Sequence, residues 1–229
     1  MSGIFVTGSG TDVGKTFVTA LLLQQLRAEG CAARALKPVI SGYDPQNTDD
    51  LAASDSGVLL SAMGLPVTAD AIAAISPWRF KAPLSPDMAA AREGRQINFT
   101  EVVGFCRDKN CSDDETLLVE GVGGAMVPLN GTHLILDLMV ELGWPALMVT
   151  GSYLGAISHG LTTLDVIKKR GLAVAAIIVS ESQDSTVDLA DTVATLRNFC
   201  GAIPVRAVPR MTVGNGDTNA PSLTDLLPR

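Results

Sequence analysis

Gly8-Ser9-Gly10-Thr11-Asp12-Val13-Gly14-Lys15-Thr16 follows the apolar run Ile4-Phe5-Val6 and precedes a helical pattern that begins at Phe17 and Val18. A strand, a glycine-rich turn and then Gly-Lys-Thr opening a helix is the arrangement that holds nucleotide phosphates. Backbone N–H groups of the turn and of the helix start point at the anion, and the helix dipole favours negative charge there. Lys15 is placed to reach the β- and γ-phosphates, and the Thr16 hydroxyl to ligate Mg²⁺. A glycine turn with a merely solvated lysine would not require Gly, Lys and Thr in this order. The loop has one irregularity. The usual pattern leaves four residues between its glycines, whereas here Ser9 takes the first glycine's place and Gly8 lies one residue too early. That favours a family with a longer phosphate loop.

Composition bounds the rest. At 229 residues the chain suits a single domain, 1–229, with a substantial core. Apolar residues at 47 % and charged residues at 18 % exclude a disordered or fibrous chain. A net charge of −7 argues against a nucleic-acid or anionic-membrane surface, since both are polyanions. Any phosphate site is then a local device. The start, Met1-Ser2-Gly3, carries no basic segment followed by an apolar one, and no apolar run approaches the ~20 residues that span a bilayer. Cys31, Cys106, Cys111 and Cys200 show no metal-site spacing and read as reduced thiols. These features together predict a cytoplasmic protein.

Strand-like runs alternate with helical ones. Strands are expected at Gly3–Thr7, Ala33–Leu36, Thr116–Val119, Ala146–Thr150, Val174–Val179 and Val205–Val208, nearly continuous in apolar residues as parallel strands covered on both faces should be. Helices are expected at Lys15–Ala28, Ser56–Met63, Pro86–Arg92, Thr100–Arg107, Leu134–Leu142, Ala156–Lys169 and Val187–Phe199. Gly30, Gly64, Gly143 and Gly171 fall just past four of them, where a left-handed residue is wanted. The pattern predicts an α/β fold, a doubly wound and mostly parallel sheet with helices on both faces. The stretch Ser76–Pro86 reads as a loop over one end of the sheet, and the tail Thr212–Arg229 as irregular and partly mobile.

Ligands in such sheets bind at the carboxyl ends of the strands. There the sequence places the phosphate loop, Lys37-Pro38-Val39-Ile40-Ser41-Gly42, Glu120-Gly121-Val122-Gly123-Gly124, Gly151-Ser152-Tyr153-Leu154-Gly155 and Ser180-Glu181-Ser182. Glu120, at a strand end before glycines, is placed to hold Mg²⁺. Lys37 is either a solvated strand cap or a cation facing a transferring phosphoryl group. Asp49, Asp50 and Asp55 lie before the helix starting near Ser56. Asp55 could serve the helix dipole or supply a second carboxylate to the metal. His133 and His159 have no partners at ligand spacing, and no nucleophile elbow or zinc motif is present.

Taken in order, these motifs resemble the dethiobiotin synthetase family, the ATP-dependent carboxylases of biotin biosynthesis. The resemblance rests on Val6-Thr7-Gly8 through Thr16, Lys37 through Gly42, Ser54-Asp55, Pro83-Leu84-Ser85-Pro86, Val119 through Gly124 and Leu154-Gly155-Ala156-Ile157-Ser158-His159. It covers most of the chain, and the long phosphate loop is the family's own form. It implies ATP and Mg²⁺ as cofactors, and 7,8-diaminononanoate and CO₂ as substrates. It implies Lys37, Lys15 and Thr11 at the reacting groups, and Thr16, Asp55 and Glu120 around the metal. Asp12, Val13, Gly14, Lys15, Thr16 and Phe17 would surround the nucleotide, with Gly121, Val122, Gly123, Ser180, Glu181, Pro209, Arg210 and Met211. Ser41 would touch the diamine. Leu154, Gly155, Ala156 and Ser158 would take the substrate's carboxylate across the interface of a homodimer.

Two features depart from the family pattern. Ser180-Glu181 stands where Asn-Asp commonly reads the adenine edge, and the long segment Asp44–Ser54 obscures which aspartate meets the metal. A partner-regulated switch ATPase of the partitioning type would carry a lysine at Gly10, and a cobyrinate-type amidotransferase ligase would need a glutaminase domain. Neither is present in this sequence.

Overall fold

In chain order the elements are β1 (Ile4–Gly8), α1 (Lys15–Ala28), β2 (Ala32–Leu36), β3 (Val39–Ser41), α2 (Asp55–Ala62), α3 (Ala69–Ile75), β4 (Trp78–Phe80), α4 (Pro86–Arg92), α5 (Phe99–Asp108), β5 (Glu115–Glu120), α6 (Ile135–Leu142), β6 (Ala146–Gly151), α7 (Ala156–Lys169), β7 (Val174–Ser180), α8 (Leu189–Phe199) and β8 (Val205–Val208). The computed structural model describes residues 3–44, 51–108, 115–211 and 220–228. The main sheet has six strands in the order β2-β5-β1-β6-β7-β8, every neighbouring pair parallel. This is the expected α/β architecture. Phe5, Val6, Leu118, Val119, Met148, Val149, Ile177, Ile178 and Val179 are fully buried, as helices on both faces require. Those continuous apolar strands, and the buried row Val18, Leu22 and Leu23 of α1, form the core.

Helix ends follow their local chemistry. Gly30, Gly64, Gly143 and Gly171 all have positive φ, the left-handed terminal conformation expected of them. Ser54 caps α2 by accepting from the Gly57 amide at 3.1 Å, which makes Asp55 the first helical residue.

Three features differ from the sequence reading. The segment Ser76–Pro86 is not all loop: Trp78–Phe80 forms β4 and pairs in parallel with β3 through Val39↔Trp78, Ile40↔Arg79 and Ser41↔Phe80. This small second sheet escaped notice because three-residue strands are too short to show a period. Helix α3 was also missed; Thr68 caps it, but its alanine-rich turn buries only Ile72 and Ile75. Finally, the described part of the tail is tied down. Leu223 and Leu226 are buried, the Gln25 side chain bonds both Pro221 O and Leu223 N at 2.8 Å, and Arg206 pairs with Asp225 at 2.8 Å. Two leucines among polar residues outweigh the turn-rich composition around them. Among the described residues no helix is long and apolar enough to cross a membrane.

Asp137 joins two helices. Its Oδ2 accepts from the Leu134 amide at 2.7 Å at the start of α6, and its Oδ1 accepts from Arg170 at 2.7 Å just past α7. Burial pushes its carboxyl up, but the Leu134 amide and the Arg170 guanidinium hold it below the usual carboxylate range. A depressed carboxyl stabilises the fold above the unfolded value of about 3.9, and that contribution is lost as pH falls through the lower folded value. Asp137→Asn is therefore expected to cost about 1 kcal/mol at pH 7 in urea unfolding. The gap to the wild type should narrow as pH falls below about 3.9 and close once it has passed the lower folded value. A gap that persists there would show that charge is not its source.

Candidate active site

Register builds the centre of the site. β2 pairs with β5 so that Leu36 lies opposite Val119, and β5 pairs with β1 so that Glu120 lies opposite Val6. The residue after β2 is Lys37 and the last residue of β5 is Glu120, so neighbouring strands deliver a cation and an anion to the same place. The Gly8–Gly14 loop leaves β1 beside them and turns into α1.

Gly14 is the hinge of that turn. Its φ is +91°, and a Cβ there would collide with Ser180 Oγ at the end of β7. Glycine is therefore required twice, for its conformation and for the space. Gly124 allows a second close approach, since a Cβ on it would stand 3.2 Å from the Gly10 backbone. The Ala125 amide bonds Gly8 O at 3.0 Å, so the β5 loop and the phosphate loop lie backbone against backbone.

Glu120 is fully buried and Lys37 is only 3 % exposed. Lys37 Nζ lies 2.6 Å from Glu120 Oε1, 2.5 Å from Asp55 Oδ2 and 3.5 Å from Thr16 Oγ1. The Thr16 hydroxyl donates to the same Glu120 oxygen at 2.6 Å. Burial would push Lys37 down, but the carboxylates of Glu120 and Asp55 reverse this and hold its ammonium above the ordinary lysine value. Asp55 is raised by burial and lowered more by Lys37, so its carboxyl stays charged well into acid. Lys15 is pushed down to about 8, first by burial and then by the nearby Lys37 charge; its Nζ donates to Gly10 O at 2.9 Å.

The donor set fits a hard divalent cation. Glu120 Oε2 is buried and has no hydrogen-bond partner. Together with the Thr16 hydroxyl and the half-exposed Asp55 carboxylate it offers oxygens only, which is what Mg²⁺ selects, while phosphates and water complete its shell. Among the described residues no three His, Cys, Asp or Glu side chains cluster to hold a metal alone. A cation here would thus depend on hydroxyl and phosphate oxygens as well. Asp49 and Asp50 lie outside the described residues.

These groups open into a cleft of about 780 Å³. Thr11, Asp12, Gly14, Lys15, Thr16, Lys37, Ser41 and Asp55 form its polar lining, and Val122 and Gly123 border it. Its apolar lining residues are Phe17, Ile40, Pro83, Leu84, Pro86 and Val127. Of these the sequence reading singled out only Phe17 as a site residue. Ile40 arrives on β3, and Pro83–Pro86 follow β4. The Pro-Leu-Ser-Pro segment was the available signal, but its meaning depends on the missed sheet.

The remaining expected residues stand elsewhere. Ser180 is buried against Gly14. Glu181 accepts from the Arg210 amide through Oε2 at 2.8 Å, tying the segments after β7 and β8 together at an exposed edge. Pro209 and Met211 flank that bond. Gly121 lies under Phe5 and Ile135, where a Cβ would be 3.0 Å from Phe5, and its amide bonds Val6 O. Leu154, Gly155, Ala156 and Ser158 do not line this chain's cleft. Leu154 is 86 % exposed beside Gly155, the left-handed cap of α7, and the first amides of a helix have no partners within it. Next to them the Tyr153 hydroxyl and His159 Nδ1 are 2.8 Å apart.

Comparison with known proteins agrees with this geometry. A family model described as an AAA domain matches residues 2–213. The ATP-dependent dethiobiotin synthetase BioD of Caulobacter vibrioides is 46 % identical over 228 residues, 99 % of either chain. That of Acidiphilium cryptum is 46 % identical over 205 residues, covering 89 % of this chain and 91 % of its own. That of Phenylobacterium zucineum is 47 % identical over 212 residues, covering 92 % and 89 %. Among solved structures, the MinC:MinD cell division complex of Aquifex aeolicus aligns with a TM-score of 0.54 at 14 % identity, over 92 % of this chain and 82 % of that one, which is a likeness of fold. With nearly half of its residues shared over nearly its full length, the chain belongs to the ATP-dependent dethiobiotin synthetase family.

Proposed function

We propose that the enzyme converts 7,8-diaminononanoate, CO₂ and ATP to dethiobiotin, ADP and phosphate, with Mg²⁺, as a cytoplasmic homodimer. The observation that carries this reading is the buried Lys37 ammonium among Thr16, Asp55 and Glu120, at the mouth of a phosphate loop and facing a cleft lined by both polar and apolar residues. That lining suits a substrate with two amines at one end of a methylene chain.

In this reading one amine of the diamine adds to CO₂ and loses a proton, giving a carbamate. A carbamate oxygen attacks the γ-phosphorus, the bond to ADP breaks, and a carbamic–phosphoric anhydride results. The second amine attacks the carbamoyl carbon, phosphate leaves with the bonding electrons, and the cyclic urea closes with release of a proton. Backbone N–H groups from Thr11 to Thr16 orient the triphosphate. Lys15 and Lys37 place positive charge where two anions must meet, which favours the transition state over separated reactants. Bound to Thr16, Asp55 and Glu120, Mg²⁺ would supply further charge neutralisation at the phosphate oxygens. Ser41 would contact the diamine end, while Ile40, Leu84 and Val127 would help exclude water from the reactive anhydride. The exposed Leu154 and the open start of α7 support a carboxylate site that serves the partner protomer. Phosphate release that depends on both diamine and bicarbonate, with dethiobiotin identified by mass spectrometry, tests the reading. ATP hydrolysis indifferent to the diamine would indicate a switch ATPase.

Two outcomes follow from named side chains. Asp55→Asn and Glu120→Gln should each raise the Mg²⁺ concentration for half-maximal turnover by about tenfold or more, because each removes a hard oxygen donor or a charge beside it. Asp49→Asn and Asp50→Asn should leave it unchanged; a Mg²⁺ titration with the opposite pattern would reassign the carboxylate. For the base, Glu181 Oε2 is already engaged by the Arg210 amide and Ser180 lies beneath Gly14. No side-chain amide is therefore offered to the adenine edge at these positions. Turnover efficiencies for ATP, CTP, GTP and ITP should fall within about tenfold of one another, roughly 1.4 kcal/mol. A preference for ATP above a hundredfold would place base recognition in other residues.

A further inference from the structure

We propose that the Lys37 ammonium is the resident cation of the Thr16–Asp55–Glu120 oxygen set and surrenders that set to a divalent cation only when the cation arrives with the nucleotide triphosphate. This rests on the reading of those three residues as metal donors. It adds that metal and lysine compete for the same three side chains.

The geometry is direct. An ammonium has three N–H donors and no acceptor. Lys37 aims all three at Glu120 Oε1, Asp55 Oδ2 and Thr16 Oγ1, at 2.6, 2.5 and 3.5 Å. These atoms belong to the same three side chains whose oxygens a metal would need, and Glu120 Oε2 is the oxygen the ammonium leaves free. A doubly charged ion cannot enter beside a cation already seated among them without strong repulsion, since Lys37 and Glu120 are buried and screening is weak there.

Burial explains why a resident is needed. Glu120 is fully buried at the end of a central strand, and an unpaired charge there would be costly. Something positive must therefore occupy the position at all times. Lys15 does not fill this role, because its Nζ is turned to Gly10 O and lies on the phosphate loop.

Burial also explains the direction of exchange. Lys37 lines the cleft, so its flexible stem can carry the ammonium from the carboxylates into the open space. A triphosphate brings more negative charge than a divalent ion removes, which gives the displaced ammonium a new partner. A divalent ion alone offers it none. Metal entry and delivery of Lys37 to the reacting phosphoryl group thus become one event. The site is then not armed for hydrolysis until the metal–nucleotide complex is in place.

The test is Mn²⁺ binding, followed by electron paramagnetic resonance of the free ion, with no nucleotide present. The wild type should bind weakly. Lys37→Gln, which removes the charge while its amide still donates to Glu120, should bind at least tenfold more tightly. Lys37→Arg, which keeps the charge, should show no such gain. Equal Mn²⁺ affinity in the wild type and Lys37→Gln, or an equal gain in Lys37→Arg, would overturn the proposal. Should Lys37→Gln fail to fold by circular dichroism, the wild type still decides, through the ¹⁵N resonance of the Lys37 ammonium. Mg²⁺ alone at 1 mM should leave the resonance in place, and Mg²⁺ with the β,γ-imido analogue of ATP should move it; an equal shift with Mg²⁺ alone refutes the exchange. Glu120→Gln separates the two readings. If it binds Mn²⁺ with the analogue as well as the wild type does, the metal assignment itself fails. If it loses that binding while Lys37→Gln shows no gain, the competition alone fails.

Discussion

A carboxylate buried without any exposure at the end of a central strand must be matched by a cation, and the rest of the site is arranged around that demand. Glu120 sits on β5, between β2 and β1, and parallel register puts Lys37 directly across from it. The pair is not a stability device. Desolvating both charges consumes most of the Coulombic gain, and well-packed apolar residues would hold these strands as well. What the pair provides is a fixed concentration of charge at the mouth of the phosphate loop. Thr16 and Asp55, on the first turns of α1 and α2, are drawn to the same point. Three segments distant in sequence therefore converge on the ammonium carried by a fourth.

The sequence was informative where a residue's role follows from its immediate neighbours. Parallel strands covered on both faces must be apolar throughout, so all six strands of the main sheet were recognisable to within a residue or two. The phosphate loop was legible because Gly, Lys and Thr are each required by a different physical task. Glu120 was legible because a charge ending an apolar run points to the ligand edge. Lys37 could be read either as a solvated cap or as a functional cation, and it is buried in an ion pair. Local sequence cannot reveal that, since the partner lies 83 residues away on a strand whose register is a tertiary fact. The same holds for β3 and β4. Each is three residues long, and they pair only with one another, so neither shows a pattern until the chain has folded.

The missed sheet has a consequence for the cleft. β3 carries Ile40 and Ser41 on adjacent positions, and alternation along a strand sends them to opposite faces. Both nonetheless border the cleft, because β3 ends at Ser41 and the chain turns at Gly42. The Gly42 amide bonds Ala82 O at 3.1 Å, and Pro83 packs against Gly42. The apolar lining is thus held by backbone bonds and two prolines, Pro83 and Pro86, rather than by long flexible side chains.

The two ends of a nucleotide would meet different physics here. The triphosphate would face backbone N–H groups, Lys15 and Lys37, whose side chains are largely shielded from solvent. The base would face an exposed edge where Glu181 is spent on the Arg210 amide and Ser180 is spent on clearance for Gly14. Ser180 and Gly14 constrain one another: the loop turns left-handed at Gly14 over β7, and the residue that ends β7 must be small enough to lie under it. A longer side chain at position 180 could remain only by pointing outward, toward the base. In this chain the serine stays beneath the loop. In the proposed reading, recognition and chemistry would draw on the same buried charges.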